Sequence, residues 1–273
     1  MTINCKGKLI DLTIPKVMGI LNLTPDSFYD GGVYKSEADI LRQVEKMLID
    51  GATFIDIGAY SSRPNAVHIS ETEELERLLP IIKLLTASFP DILISIDTFR
   101  GEVAKQSINA GACMINDISA GKMDDTMLTT IAQLKVPYIL MHMKGTPQNM
   151  QQNITYDHFI KDILFYFSER IAAAKSLGII DILADPGFGF SKTTAQNYEL
   201  LKHLDVFKIL ERPILVGFSR KSMIYKTLNI SAQEALNGTT VLNTIALQKQ
   251  ASILRVHDVK EAMECIHLTQ QLN

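Results

Sequence analysis

The chain has 273 residues, 47% of them apolar, which is enough for one large folded unit with a sizeable core. Its formal net charge is −3, and it contains neither a basic run that would suggest nucleic-acid binding nor an acidic tail. No stretch approaches the roughly 18 apolar residues that a membrane helix needs, and the N-terminus lacks the small-residue cleavage site of a signal peptide. We therefore expect a soluble cytoplasmic protein with no membrane and no nucleic-acid partner.

Short apolar runs alternate with helical patterns along the chain. The runs that predict β-strands are residues 17–21, 54–57, 92–96, 113–115, 138–141, 182–184, 214–216 and 252–256. They are apolar at successive positions, as strands buried on both faces are. Between them, apolar residues recur at helical spacing, most clearly from Phe159 to Ala174. The pattern predicts an α/β fold, a (β/α)₈ TIM barrel, with residues 1–273 as a single domain; such barrels typically take about 250 residues.

Residues typical of helix ends flank the helical segments. A Glu three residues after Ser or Asp predicts helix starts at Ser70, Ser231 and Asp258. Gly51, Gly111 and Gly178 stand where a helix would stop, a position that favours left-handed backbone geometry. Residues 51–56 and 111–116 also form a faint repeat, since both read Gly-Ala, three further residues and then Asp or Asn.

A doubly wound open sheet is the alternative fold for this alternation of strands and helices. That fold would place a glycine-rich dinucleotide-binding turn after the first strand. Residues 19–24 read Gly-Ile-Leu-Asn-Leu-Thr and do not supply one. The barrel is therefore the preferred prediction.

Polar residues recur at the ends of the predicted strands. They are Asn22, Asp56, Asp97, Asn116, His142, Asp185 and His257, with Lys221 just beyond the seventh strand. One such residue often caps a helix, but the carboxyl ends of all barrel strands meet at one face, so the set predicts a polar pocket there. Three long connections, residues 23–35, 58–70 and 143–156, also follow strands and would surround that pocket as binding loops.

Asp97, Asn116 and Asp185 suit a flat, nitrogen-rich ring. A carboxylate can accept two parallel N–H bonds from a guanidine-like edge, and an amide offers both a donor and an acceptor. Taken singly, Asp97 is equally a helix cap and Asp185 a turn former. We therefore assign function to the three residues jointly.

Positive charge for an anionic group would come from Arg63, Lys221, Arg255 and His257. Arg255 and His257 are two apart near a strand end and point the same way. Arginine matches phosphate oxygens bidentately, although Arg255 alone is as well explained by an interface or a capping pair. The helix dipole disfavours a cation at a helix start, so Lys221 is predicted to face the pocket and Arg220 to form a structural ion pair.

The sequence contains weak signals for a metal. Asn22 offers one oxygen to a hard cation such as Mg²⁺. His142 lacks a neighbouring histidine, which favours core packing or a loop hydrogen bond. Three cysteines, Cys5, Cys113 and Cys265, are far apart and argue against a zinc site or a disulfide framework. Four apolar residues are candidates for either the pocket wall or the core: Phe28, Met141, Phe188 and Phe190.

Eight segments of the chain together resemble the dihydropteroate synthase family of pterin-binding enzymes. They are residues 18–32 (MGILNLTPDSFYDGG), 61–64 (SSRP), 95–98 (SIDT), 115–117 (IND), 141–147 (MHMKGTP), 185–190 (DPGFGF), 219–222 (SRKS) and 255–258 (RVHD). The resemblance covers nearly the whole chain. It implies a homodimeric transferase, of the kind that sulfonamides target, that joins dihydropterin pyrophosphate to p-aminobenzoate in folate biosynthesis.

The resemblance also implies roles for individual residues. The pterin ring would be bound by Asp97, Asn116, Asp185 and Lys221, with Arg255 stacked on it. The pyrophosphate would be held by Asn22, Ser62, Arg63, Arg255 and His257, with Mg²⁺ at Asn22. The p-aminobenzoate site would be shaped by Phe28, Ser62, Arg63, Pro64, Phe190 and Ser222. Catalysis would rest on Arg63, Asp97, Lys221, Arg255 and His257.

The chain departs from the family pattern in two places. Residues 58–65 read Gly-Ala-Tyr-Ser-Ser-Arg-Pro-Asn where the family commonly has Gly-Gly-Glu-Ser-Thr-Arg-Pro-Gly, so Ser62 lacks a methyl group. Ser191 replaces a frequent glycine after Phe190. Neither change removes one of the charged groups assigned to the site, so we expect activity to survive.

Three other functions are compatible with parts of this pattern. A methyltetrahydrofolate-binding methyltransferase domain shares the barrel and the carboxylates but needs no arginine clamp for pyrophosphate. A Schiff-base aldolase would use Lys221, and a pterin carrier would bind without turnover. We rank all three below the synthase.

Overall fold

A computed structural model of the chain describes residues 1–23, 36–61, 68–152 and 154–272. Within these residues, a two-stranded antiparallel hairpin precedes an eight-stranded parallel sheet. Helices connect the successive strands of the sheet. The order of the elements is therefore the strand–helix alternation that the sequence predicts, with an added hairpin at its start.

The hairpin consists of β1 (Thr2–Cys5) and β2 (Lys8–Asp11). The strands of the sheet are β3 (Lys16–Asn22), β4 (Phe54–Gly58), β5 (Ile94–Asp97), β6 (Met114–Asp117), β7 (Tyr138–Met141), β8 (Ile182–Asp185), β9 (Leu215–Val216) and β10 (Ile253–Val256). The helices are α1 (Glu37–Ile49), α2 (Glu71–Ser88), α3 (Gly101–Asn109), α4 (Met127–Leu134), α5 (Phe159–Ser176), α6 (Thr194–Lys202), α7 (Ser222–Leu228), α8 (Leu236–Gln248) and α9 (Val259–Gln270). Short 3-10 segments span Met150–Gln152 and Leu204–Leu210.

The parallel strands close into a barrel. Their hydrogen-bonded order is β8, β7, β6, β5, β4, β3, β10, β9, and a parallel bridge between Ala184 and Ile214 connects the two ends of this series. A helix follows each strand, and α8 is a second helix between β9 and β10. The (β/α)₈ barrel is confirmed, and every predicted strand overlaps an observed one.

Burial on both faces explains why short apolar runs form these strands. Every position of β4, β6, β7 and β8 is buried. The helices bury one face against the outside of the barrel, as α5 does with Ile163, Phe167 and Ile171. This is the helical face predicted from the apolar spacing between Phe159 and Ala174.

The predicted helix ends are partly confirmed. Ser70 is the N-cap of α2, and its side chain accepts a hydrogen bond from the backbone N–H of Glu73 at 3.1 Å. Gly51, Gly111 and Gly178 follow helix ends with φ of +104°, +118° and +85°, in the left-handed region that glycine tolerates.

Of the other two predicted helix starts, the one at Asp258 is confirmed without a side-chain cap bond, and the one at Ser231 is not found. The helix predicted at Ser231 is wrong, because α8 begins only at Leu236. Glu234 accepts hydrogen bonds from the backbone N–H and the hydroxyl of Ser231 within a turn instead. Asp258 does precede α9, but its side chain makes no cap bond because it pairs with Arg220.

The N-terminal hairpin is absent from the sequence-based prediction. It turns through Lys6 and Gly7 with φ of +54° and +79°, the paired positive values typical of a tight two-residue turn. Ile3, Cys5 and Ile10 alternate with exposed residues and are buried in one cluster with residues from the amino-terminal ends of the barrel strands. The hairpin therefore covers the amino-terminal end of the barrel and leaves the carboxyl-terminal end for the site.

Two further features of the fold concern its cysteines and its helices. Cys5, Cys113 and Cys265 are free and buried thiols, and Cys113 precedes β6 by one residue. Among the helices of the described residues, none has both the length and the apolar character needed to cross a membrane.

Candidate active site

The carboxyl ends of the barrel strands carry a cluster of charged and amide side chains. β5 and β6 end side by side, so Asp97 lies opposite Asn116 in the register of the two strands. Asp185 ends β8, and Arg255 lies near the end of β10. Lys221 directly precedes α7, after the turn that leaves β9. Five residues predicted for one pocket are thus placed at the same end of the barrel.

Arg255 lies between two carboxylates. Its Nε donates to Asp56 Oδ2 at 2.6 Å, and its Nη2 donates to Asp97 Oδ2 at 2.9 Å. The side-chain amide of Asn116 donates to the same Asp56 oxygen at 3.0 Å. Because hydrogen bonds between ionised partners are short and strong, these contacts fix the orientation of the guanidinium and the amide relative to each other.

Asp56 belongs to the strand-end residues predicted to form the pocket, but it is the member of this cluster to which no individual role was assigned. Its side chain is fully buried. One carboxylate oxygen accepts from both Arg255 and Asn116, while the other has no hydrogen-bond partner among the described residues. A signal was present, since the internal repeat places Asp56 and Asn116 at matching positions of β4 and β6. Asp56 thus positions two side chains that were themselves predicted for the site.

The electrostatic environment of Asp97 is unusual for a carboxylate. Burial raises the pKa of Asp97 to about 7, and the nearby carboxylate of Asp56 adds to the shift. The positive charge of Arg255 opposes the shift without cancelling it. A ligand that carries N–H donors or positive charge would stabilise the ionised form of Asp97. The cluster therefore favours such a ligand.

Asp185 and Lys221 are close enough for the charge of each to shift the pKa of the other. Burial raises the pKa of Asp185, and the positive charge of Lys221 opposes that shift. Burial lowers the pKa of Lys221 to about 8, against the attraction of Asp185. Lys221 Nζ donates to the backbone oxygen of Phe188 at 2.6 Å and lies 4.9 Å from the centre of the Phe190 ring. As predicted, Lys221 faces the cluster, with a carbonyl as its partner.

The neighbours of Lys221 separate a structural group from candidate binding groups. Arg220 binds Asp258 through two bonds, Nη2 to Oδ1 at 2.8 Å and Nε to Oδ2 at 2.9 Å, which confirms the predicted ion pair. His257 Nδ1 lies 2.9 Å from Ser219 Oγ, and its backbone N–H donates to the same hydroxyl at 3.1 Å. Ser222 begins α7 and is partly exposed.

His142 makes the loop hydrogen bond that the sequence favoured over metal binding. Its ring is buried, and Nδ1 lies 3.0 Å from Lys192 Nζ. Burial lowers the pKa of His142 well below its usual value, and the nearby lysine adds to the effect. The sequence patterns did not identify Lys192, because an isolated lysine in a loop resembles any exposed lysine.

Tyr60, at the position where the family commonly has Glu, connects several loops. Its hydroxyl lies 3.2 Å from His68 Nδ1 and accepts a hydrogen bond from Gln148 Nε2 at 2.9 Å. Its ring packs edge-on against Phe99 with a centroid distance of 5.0 Å. Tyr60 therefore links the residues on either side of 62–67 to the loop between β7 and α5.

Four predicted site residues, Phe28, Ser62, Arg63 and Pro64, lie outside the described residues, and their roles stay predictions. Asn22 ends β3 at the same face of the barrel as the cluster, and it is half-buried. In the described ranges, no three His, Cys, Asp or Glu side chains are grouped so that they could hold a metal. Mg²⁺ commonly takes one or two protein ligands together with substrate phosphates and water. One amide oxygen fits an ion held mainly by a phosphorylated substrate.

Comparisons with known proteins agree with this geometry. A family model described as "Pterin binding enzyme" matches residues 18–257. The dihydropteroate synthase of Escherichia coli K12 is 42% identical over 272 residues, 99% of this chain and 96% of that protein. A structure of Yersinia pestis dihydropteroate synthase with a sulfonamide drug has a TM-score of 0.96 and 42% identity, covering 100% of this chain and 99% of the other.

A third similar structure is Xanthomonas albilineans dihydropteroate synthase with 4-aminobenzoic acid, which has a TM-score of 0.91 and 37% identity. It covers 99% of this chain and 97% of the other. These matches span the barrel and its carboxyl-terminal loops together. The chain therefore belongs to the pterin-binding enzymes and, within them, to the dihydropteroate synthase family.

Proposed function

We propose that the chain joins 6-hydroxymethyl-7,8-dihydropterin pyrophosphate to p-aminobenzoate, releasing pyrophosphate and forming 7,8-dihydropteroate for folate synthesis. One observation supports this most directly. The strand ends combine two carboxylates, the half-buried Asp97 and the buried Asp185, with two cations, Lys221 and Arg255. Carboxylates suit the N–H edge of a pterin, and cations suit the departing pyrophosphate.

The pterin ring would bind between Asp185 on one side and Asp97 and Asn116 on the other. Asp185 would accept two N–H bonds from the 2-amino and N3 edge, where a charged acceptor makes the bonds strong. Asn116 would pair with a ring position that offers both a donor and an acceptor. Lys221, held near this edge by the carbonyl of Phe188, would donate to the oxo or N5 side of the ring.

The pyrophosphate would bind beside Arg255 and His257. Arg255 would stack on the pterin and reach the phosphate oxygens, while His257 is oriented by its contacts with Ser219. Ser62 and Arg63 would complete this anion site. Asn22 would hold Mg²⁺ together with the pyrophosphate, and the bound ion would neutralise part of the charge on the leaving group.

The reaction itself would depend on stabilising charge more than on a strong base. The bond from the hydroxymethyl carbon to the pyrophosphate oxygen breaks, and the same carbon forms a bond to the arylamine nitrogen, which loses one proton. The reduced pterin can delocalise positive charge, so departure can precede attack. Arg63, Arg255 and His257 would stabilise the departing anion, and Asp97 would stabilise the cationic ring.

The arylamine would bind at the open side of the cluster. Phe190 and Ser222 border Lys221 there, and Phe28 and Pro64 would complete the walls. A neutral arylamine is already nucleophilic near neutral pH, so the site needs chiefly to position it. A sulfonamide that resembles p-aminobenzoate would compete for the same place.

A homodimer in the cytoplasm is the assembly we propose. The supporting observation is apolar exposure on the last helices: Leu228 of α7, Val241 of α8 and Leu268 of α9 are 52%, 49% and 71% exposed. These helices are neighbours, since α8 packs against both α7 and α9, and exposed apolar side chains on them are candidates for a subunit contact. Analytical ultracentrifugation of the purified chain tests this part, and a monomer at micromolar concentration would reject it.

One assay tests the central proposal. Pyrophosphate release should require dihydropterin pyrophosphate and p-aminobenzoate together, and should fall when Mg²⁺ is removed by a chelator. Arg63→Ala should lower kcat by several decades while pterin binding persists, because the loss acts on the leaving group. Methyl transfer from methyltetrahydrofolate without pyrophosphate release would favour the methyltransferase alternative instead.

A further inference from the structure

Lys192 is a buried cation that neither the barrel nor the proposed chemistry explains. It lies in the turn that follows β8, seven residues after Asp185, and is 3% exposed. Burying an ammonium group is unfavourable unless hydrogen bonds compensate for the lost water. Burial indeed lowers the pKa of Lys192 to about 7, against the attraction of Asp185. The buried ammonium group of Lys192 therefore calls for a structural or functional explanation.

All three partners of the Lys192 ammonium are close. Nζ donates to the backbone oxygen of Gly187 at 2.9 Å and to that of Phe190 at 3.0 Å. It also lies 3.0 Å from His142 Nδ1. An ammonium group has three N–H donors, so these three partners can use all of them. Lys192 is therefore fully occupied within the protein and is not itself a group that binds substrate.

The two carbonyls that Lys192 holds are at the start and the end of one short turn, residues 187–190. Gly187 has φ of +72°, and a Cβ there would lie 2.1 Å from the backbone oxygen of His142, so the turn is pressed against the end of β7. The backbone N–H of Gly187 donates to Asp185 Oδ1 at 2.7 Å. The turn thus touches a candidate pterin ligand directly.

The same turn also touches the other side of the pterin site. The carbonyl of Phe188, in the middle of the turn, accepts the hydrogen bond from Lys221 Nζ at 2.6 Å. The ring of Phe190, at its end, lies 4.9 Å from that Nζ. Asp185, Lys221 and Phe190 are therefore all oriented by a turn whose two ends are held by one buried ammonium group.

We propose that Lys192 is a positioning residue for the pterin: it fixes the 187–190 turn so that Asp185 and Lys221 are preorganised for the ring. This inference rests on the proposed function, because it assumes that Asp185 and Lys221 bind the pterin. Without the ammonium, the Phe190 carbonyl would lose its side-chain donor, and the Gly187 carbonyl would keep only the backbone N–H of Phe190 at 3.1 Å. The end of the turn would then shift to find another partner.

The first experiment compares Lys192→Met with Lys122→Met. Lys122 is an exposed lysine of the same end of the barrel, whose Nζ lies 4.4 Å from the centre of the Tyr166 ring and does not hold the turn. For Lys192→Met, we expect KM for dihydropterin pyrophosphate to rise about tenfold while kcat changes less than about threefold. KM for p-aminobenzoate should rise by less than about threefold, because only Phe190 connects the turn to that site, and Lys122→Met should match the wild type throughout.

The second experiment asks whether Lys192 acts through Lys221. Affinity for a pterin is measured by calorimetry for Lys192→Met, Lys221→Met and the double variant. If the ammonium acts by placing Lys221, the double variant should bind hardly more weakly than Lys221→Met alone. A purely structural role predicts independent, additive losses and would contradict the proposal.

A third variant guards against misfolding. Lys192→Gln keeps an N–H₂ group for two acceptors, so its KM for the pterin substrate should lie between those of the wild type and Lys192→Met. If Lys192→Met is unfolded by circular dichroism, Lys192→Gln decides the question by the same kinetic criteria. Equal increases in both KM values, or a lower kcat alone, would overturn the inference. An inactive wild type would instead reject the proposed function itself.

Discussion

The two ends of the barrel are built from the same strands but carry opposite kinds of side chains. At the amino-terminal end, residues such as Ile3 and Ile10 of the hairpin pack with the starts of the barrel strands in a cluster of apolar side chains and two buried thiols. At the carboxyl-terminal end, the same strands finish in buried carboxylates and an amide, including Asp56, Asn116 and Asp185.

Burial of side chains has opposite effects on the stability of the fold at the two ends. Apolar burial at the hairpin end stabilises the fold by roughly 25 cal/mol per Å². Burial of carboxylates at the other end is unfavourable, as the raised pKa values of Asp97 and Asp185 record. The carboxyl-terminal end is therefore organised for a ligand, and its charges are best satisfied when that ligand binds.

Asp185→Asn should have the largest effect and tests the carboxyl-terminal end. Asp185 would make two charge-assisted bonds to the pterin, each worth about 1.5–3 kcal/mol. Their loss predicts a decrease in kcat/KM of roughly 10²- to 10⁴-fold. The melting temperature should hold or rise, because a buried carboxylate has been removed. Steady-state kinetics and calorimetry measure the two effects on one sample.

Asp205→Asn is the matched control for Asp185→Asn. Asp205 pairs with Lys249 at the surface at 3.0 Å and is remote from the strand ends in sequence. Its removal should change stability by less than about 1 kcal/mol and leave the kinetics unchanged. If Asp185→Asn melts well below the wild type and retains full activity, Asp185 serves the fold, and the carboxyl-terminal end is not organised for a ligand.

Ile3→Ala should have the next largest effect, and it acts on stability. Ile3 is 1% exposed within the hairpin cluster, so its truncation should cost about 2–4 kcal/mol. For a chain of this size, that corresponds to a lower melting temperature by roughly 5–15 °C. At 25 °C, kcat should be unchanged. Leu9, 70% exposed on the same hairpin, supplies the control Leu9→Ala, which should melt like the wild type.

The difference between the ends also explains what the sequence could predict. The barrel was predictable because strands buried on both faces are continuous apolar runs, and each is visible without its neighbours. Asp97, Asn116, Asp185, Lys221 and Arg255 were predictable as a set because strand ends of a barrel converge. The hairpin was missed because its strands are short and one face is polar, so the apolar residues alternate rather than cluster.

Other features depend on contacts that no local pattern encodes. Asp56 differs from any strand-end carboxylate only because Arg255 and Asn116, far away in the chain, converge on one of its oxygens. Asp258 matches a helix-cap pattern, yet Arg220 takes its carboxylate. Lys192 is conspicuous only once its three partners are known. These are tertiary effects, and they concentrate at the carboxyl-terminal end where polar groups are buried.

The pH dependence of activity tests the charged groups at the carboxyl-terminal end of the barrel. We expect kcat/KM to fall about tenfold on each side of its maximum. Asp97 has a pKa of about 7 and Lys221 a pKa of about 8, so both are charged only in a narrow interval. Activity should fall below pH 7 as Asp97 gains a proton and above pH 8 as Lys221 loses one. The observable is a bell-shaped profile of kcat/KM in the unliganded enzyme.

Asp97→Asn identifies the acidic limb of that profile. The amide cannot titrate, so the fall below pH 7 should disappear, while the alkaline limb should remain at the lower overall rate. An acidic limb that persists unchanged in this variant would assign it to the substrate phosphates or to another group.

Tyr60→Phe should have the smallest effect, because Tyr60 only connects loops at the rim of the carboxyl-terminal end. Removal of the hydroxyl deletes its bond from Gln148, worth about 0.5–1.5 kcal/mol, or a few degrees in melting temperature. Since Tyr60 leads into residues 62–64, we expect KM for p-aminobenzoate to rise about two- to threefold and KM for the pterin substrate to hold.

Gln148→Leu tests the physical cause of the Tyr60→Phe effect. Both substitutions remove the same hydrogen bond, so the double variant should lose little more stability than either single variant. Additive losses would mean that the Tyr60 hydroxyl acts mainly through His68, which lies 3.2 Å away on the other side of residues 62–67. In that case the rim would be held within one loop, and the link to the loop between β7 and α5 would not contribute to the p-aminobenzoate site.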